Sequence, residues 1–149
     1  MKKLNNKGFT LIELIIVIGI LAILLAIVLI AINPARQFKQ ANDTKRRSDV
    51  VALLDAIHQY AADNKGAIPG GITGIATNIA TAGADICDDI TTEYISALPK
   101  DPSLTGGDVI DCTIAYDTHY QVMVDTDGRV TVSAPDTSDL LPADIAVTR

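Results

Sequence analysis

From Leu14 to Ile32 the chain reads LIIVIGILAILLAIVLIAI, 19 consecutive residues without a charge. As a helix rising 1.5 Å per residue this run is about 28 Å long, close to the hydrocarbon thickness of a bilayer. A helix that is apolar on every side must find lipid or other subunits to cover it. The run is longer than the roughly 7–15-residue apolar region of a secretory signal peptide, and no A-x-A site follows closely. A cleaved export signal is therefore disfavoured, and a single span excludes a multi-pass transporter.

The remainder has a different character. Residues 9–32 carry 21 apolar residues out of 24, whereas residues 33–149 carry 49 out of 117, the proportion of an ordinary soluble domain. Residues 50–149 hold 15 acidic and 4 basic side chains, a net of −11. That balance argues against a nucleic-acid-binding domain of the usual basic kind. Two cysteines exclude a disulfide-dense miniprotein. A length of 149 residues leaves room for one sizeable domain. The reading is a membrane-targeted chain with a small acidic head.

A simple membrane anchor does not explain Glu13. A carboxylate at membrane depth costs on the order of 3 kcal/mol, so it normally has a partner or a function. A solitary anchor supplies none, and a neighbouring chain could. The segment Lys7-Gly8-Phe9-Thr10-Leu11-Ile12-Glu13-Leu14, after a short basic start and before the apolar run, resembles the processing site of the type IV pilin and type II secretion pseudopilin family. The resemblance is close over residues 1–32.

It implies that residues 1–8 are a leader removed by prepilin peptidase between Gly8 and Phe9. Phe9 would then be N-methylated, and the helix from residue 9 to 33 would become the membrane span and later the filament core. Cleavage creates an α-amine, with a reference pKa near 8, as a partner for Glu13 of an adjacent subunit. Glu13 is thereby the expected assembly residue. The implied partners are other copies of the chain, the membrane, the processing and methylating enzyme, and an assembly platform with its ATPase. Basic residues flank the span on both sides, so the positive-inside count does not fix orientation. Cytoplasmic leader processing implies an exported head, periplasmic or extracellular once assembled.

Asn33-Pro34 interrupts the run, and Pro34 is the expected kink. Beyond it Val50, Leu53, Leu54, Ile57 and Tyr60 recur at i, i+3, i+4 and i+7, predicting an amphipathic helix over 34–65 with Gly66 as its stop. Asp49, Asp55, Gln59 and Asp63 fall on other faces. The basic stretch Arg36–Arg47 is read as a solvated helix surface near lipid headgroups. Its alternatives are a contact onto acidic heads of other subunits or binding of DNA along a filament.

Residues 66–149 form the expected head. The segment 75–98 lacks periodicity and reads as an irregular connector with one short helix near Asp89–Ala97. Leu98-Pro99-Lys100-Asp101-Pro102 resembles a segment of major pseudopilins of type II secretion. Thr113–Tyr116, Tyr120–Val124 and Val130–Val132 predict a three-stranded antiparallel meander, with Asp127-Gly128 closing the last hairpin. The expected fold is α+β, a long helix packed on this sheet, and Pro135–Arg149 is read as a mobile or surface-packed tail.

In an exported domain Cys87 and Cys112 are expected to form a disulfide, with two free thiols as the alternative. Zinc is disfavoured, because neither His58 nor His119 has ligand spacing to the cysteines. Asp125-x-Asp127-Gly128 opens like a calcium loop but lacks the later Glu, so a turn is preferred. The family resemblance keeps calcium as the one cofactor considered, at Asp125 and Asp127 and more loosely at Asp101, Asp108 and Asp111. No Ser/His/Asp set, phosphate loop or carboxylate pair stands out, and no enzyme is expected. The expected function is a type IV pilus-like filament subunit. The alternatives are the major pseudopilin of a type II secretion system and a membrane-anchored binding module that does not assemble.

Overall fold

A computed structural model of the chain describes residues 8–149. The expected leader therefore lies outside the described residues except for Gly8. Helix α1 spans Leu11–Ile32 and starts from Thr10, which is extended at φ −82° and ψ 152°. It ends at Asn33, whose φ of 47° is left-handed. Asparagine tolerates this region better than most residues because its short side chain bonds locally. Here the Asn33 carbonyl and side-chain oxygens accept from the Arg36 amide at 3.1 and 3.4 Å.

Helix α2 follows at once, Pro34–Asp63. Proline fits a first helical position, where no amide hydrogen is needed. The two helices are thus separated at Asn33, at the expected interruption. The carboxyl end of α2 is closed by left-handed Lys65 and Gly66, with the Gly66 amide donating to the Ala61 carbonyl at 2.8 Å.

The chain divides after Phe38 into two compact units. In the first, no residue of α1 is buried, and its apolar side chains face outward all round. This helix is long and apolar enough to cross a membrane. The second unit, Lys39–Arg149, has its own core. Val50, Leu53, Leu54 and Ile57 of α2 are fully buried in it together with Tyr120, Val122, Val130 and Val132 of the sheet. The predicted helical stripe and the predicted strand face thus meet in one α+β core.

The sheet has four strands rather than three, in the order β1 (Thr77–Ala80), β2 (Asp117–Val124), β3 (Val130–Ala134) and β4 (Ile145–Thr148), all antiparallel. β2 and β3 pair through Val122 opposite Val132 and Val124 opposite Val130. The hairpin between them turns at Gly128, φ 81°. β1 lies within the stretch expected to be irregular, and the short helix α3 is Cys87–Ile90, a little before the expected Asp89–Ala97. Thr113–Tyr116 form no strand. Asp111 accepts from the Thr113 amide and hydroxyl there at 2.9 and 2.6 Å, which holds a turn, and β2 begins only at Asp117. The carboxyl-terminal segment is not a tail, because Ile145–Thr148 pairs along β3 from Ala134↔Ile145 to Thr131↔Thr148.

Candidate functional site

Gly8 and Phe9 precede α1 and are exposed, Phe9 at 91%. One turn on, Glu13 folds back onto Thr10. Its Oε2 accepts from the Thr10 amide at 2.8 Å and from the Thr10 hydroxyl at 2.7 Å, while the Glu13 amide donates to the Thr10 hydroxyl at 3.3 Å. This is a reciprocal capping box, and it satisfies amides that the first helical turn leaves free. It also gives the carboxylate polar partners within its own chain. Thr10 is therefore a partner of Glu13 that the sequence reading did not name, although Thr-x-x-Glu before an apolar run is a readable signal.

In the head, the basic stretch does not stay on the surface. Arg46 is 3% exposed and donates to Asp101 from both Nε (2.6 Å) and Nη2 (2.8 Å), and from Nη1 to Asp43 at 2.9 Å. Ser103 and Ser138 complete the set by donating to Asp101 and Asp43. One buried cation thus ties α2 to the Leu98–Leu104 loop and to the segment before β4. Burial pushes the Asp101 and Asp43 carboxyls up. Hydrogen bonds from Arg46 and Ser103 to Asp101, and from Ser138 and Arg46 to Asp43, outweigh it and hold both below their ordinary value. The Asp101 hydrogen bonds, opposed by burial, raise Arg46 in turn.

Asp49, expected on a polar face, is also buried and accepts from the Tyr120 hydroxyl at 2.8 Å. Burial, then Asp49, pushes that phenol upward. Lys45 covers Asp49 from outside at 2.8 Å.

Cys87 and Cys112 are joined in a disulfide, with Cα atoms 5.6 Å apart. The bond fastens α3, which is in the core, to the loop carrying Asp108 and Asp111. At the β2–β3 turn Asp125 accepts from the Asp127 and Arg129 amides at 2.9 and 2.8 Å, and Arg129 Nε donates to it at 2.9 Å. Arg129 also reaches Asp127 at 3.5 Å. Both carboxylates there serve the hairpin, and Asp101 serves Arg46. Among the described residues no three His, Cys, Asp or Glu side chains gather as a metal site.

The prokaryotic N-terminal methylation motif matches residues 3–29. Type II secretion system core protein G of Aeromonas hydrophila is 36% identical over 104 residues, 68% of this chain and 71% of that protein. The chain belongs to the type IV pilin and pseudopilin family. It is accordingly a pilin-like filament subunit, built to assemble with other subunits. The identity covers far more than the 27 residues of the motif, so the pseudopilin likeness extends into the head. No solved structure matches the chain.

Proposed function

We propose that this pseudopilin-family chain is the filament-forming subunit of a type II secretion machine, anchored in the membrane by α1 and carrying its head in the periplasm. The observation that carries this reading is the 36% identity to a type II secretion system core protein over 68% of the chain. The protein does its work by assembling, and force comes from partner ATPases rather than from catalysis by its own residues.

Processing by prepilin peptidase cuts between Gly8 and Phe9, and the new Phe9 amine is methylated. On assembly the Phe9 amine of one subunit meets Glu13 of its neighbour. The capping box supports this sequence of events, because the Glu13 carboxylate has its own Thr10 to accept from until that amine arrives. The test is deletion of the protein in its host. Loss of exoprotein release with surface fibres intact supports the secretion role. Loss of surface fibres with secretion intact overturns it in favour of a pilus.

A further inference from the structure

The sheet has one open edge with a groove beside it. Arg149 and Val130 exchange both backbone hydrogen bonds, at 2.8 and 3.0 Å. Alternation along an antiparallel pair then turns the peptide groups of Val147 and Ile145 toward β3, and those of Ala146 and Thr148 outward. At the opposite edge, β1 is covered by its own chain, since Ala84 donates to Asn78 and Ala80 to Ala84. The β4 edge has no such cover among the described residues. Between it and α2 lies a groove of about 370 Å³. Val51, Leu141 and Val147 make its apolar wall, with Arg47 and Asp144 at its rim. Arg47 is exposed and has no carboxylate in salt-bridge reach among the described residues.

Elsewhere on the head, the segment Asp108–Asp111 has the complementary features. Val109 is buried and exchanges both backbone hydrogen bonds with Leu98, at 2.9 and 2.8 Å. The peptide groups of Asp108 and Ile110 therefore face away from Leu98, free to pair. Ile110 is 77% exposed although the disulfide at Cys112 holds the loop beside it. Exposed Asp108 and Asp111 flank it, and Lys100 lies alongside.

We propose that in the filament the Asp108–Asp111 segment of one copy adds to the β4 edge of the next, placing Ile110 in the groove between α2 and β4. An added strand points alternate side chains to the α2 side of the sheet, which is where the groove lies. Charge selects a second copy as the occupant: Asp108, on the same face as Ile110 and within its own chain only 3.9 Å from Lys45, arrives at Arg47, and Lys100 arrives at Asp144. The two patches are different surfaces of one chain, so the contact is heterologous and repeats without closing, as a filament requires. This contact rests on the chain being a filament subunit but not on which machine it serves.

The test places the photocrosslinker p-benzoylphenylalanine at position 110 of the full-length chain, and whole cells assembling it are irradiated. Crosslinked dimers whose second peptide comes from residues 141–148 are expected. In parallel, Arg47→Glu and Asp108→Arg should each lower filament yield at least about tenfold, and the double variant should recover most of it. A variant that merely misfolded would not be rescued by a second change. Crosslinks to other regions or to a different protein, or filaments of normal yield from Arg47→Glu, overturn the contact while leaving the family function intact. A parent chain that makes no filaments at all removes both.

Discussion

Arg46 sits one turn before Val50 and two turns before Leu53, on the face that enters the core. Its guanidinium is acceptable there only because Asp43, Asp101 and two serines surround it. Removing one partner from a buried charge cluster typically costs about 3–5 kcal/mol, since the charges left behind stay desolvated. Arg46→Met should destabilise the head by that amount at neutral pH. All four tyrosines lie between residues 60 and 120, so tyrosine fluorescence during urea unfolding of the detergent-solubilised chain reports on the head alone. The pH dependence follows from the depressed carboxyls. Asp43 and Asp101 start from 3.8 and are lowered in the fold. Their contribution is therefore present above 3.8 and lost as pH falls through the folded values. The gap between parent and Arg46→Met should narrow below pH 3.8. An equal gap at pH 7 and pH 3 would show that the cluster contributes nothing electrostatic.

The elements of the head differ in how they are held. β1 is four residues long and its pairing with β2 is irregular between Asn78 and Ala80. It depends on a tight return at Gly83, where a Cβ would collide with the Asn78 carbonyl oxygen. Gly83→Ala should therefore cost about 1–3 kcal/mol, the range for forcing an extra carbon into a packed site. It should also speed hydrogen exchange at Asn78 and Ala80, whereas unchanged exchange would mean that the turn simply relaxes. Weak elements of this kind escape sequence reading for a physical reason. The Thr77–Ala80 segment carries one large apolar side chain, Ile79, so alternation has nothing to show. β4 is similarly masked by proline and aspartate just before it. Where large side chains alternate, as at Tyr120, Val122 and Val132, or recur at helical spacing, as at Val50, Leu53 and Ile57, the pattern located the core directly. Arg46 was legible in principle: the stripe continues backward through it, but the surrounding basic residues made it look like surface. The Cys87–Cys112 pair was readable from the exported context, and the groove beside β4 was not, because it is built from residues nearly 100 positions apart.

At the scale of the whole molecule, the head has a complete core and α1 has none. Among the described residues every buried one lies at or beyond Asp43. Residues 39–149 should consequently fold without the helix, keep the Cys87–Cys112 bond and melt cooperatively as a soluble monomer. Size-exclusion chromatography and calorimetry check this, and a fragment that aggregates or melts without cooperativity would show that α1 contributes to the head. The expectation bears on assembly as well. A subunit in the membrane already has α1 out of water, so moving that helix into a filament core exchanges one apolar surrounding for another and gains little hydrophobic free energy. Position in the filament must then be decided by directional contacts, and the two proposed above are Glu13 within the core and the edge of β4 on the head. A fragment of residues 39–149 retains the second and lacks the first. Co-produced in excess in the periplasm of cells making the full chain, it should not form filaments alone but should cap growing ones, shortening them in proportion to its concentration. Filaments of unchanged length at high fragment concentration would mean that α1 alone directs assembly.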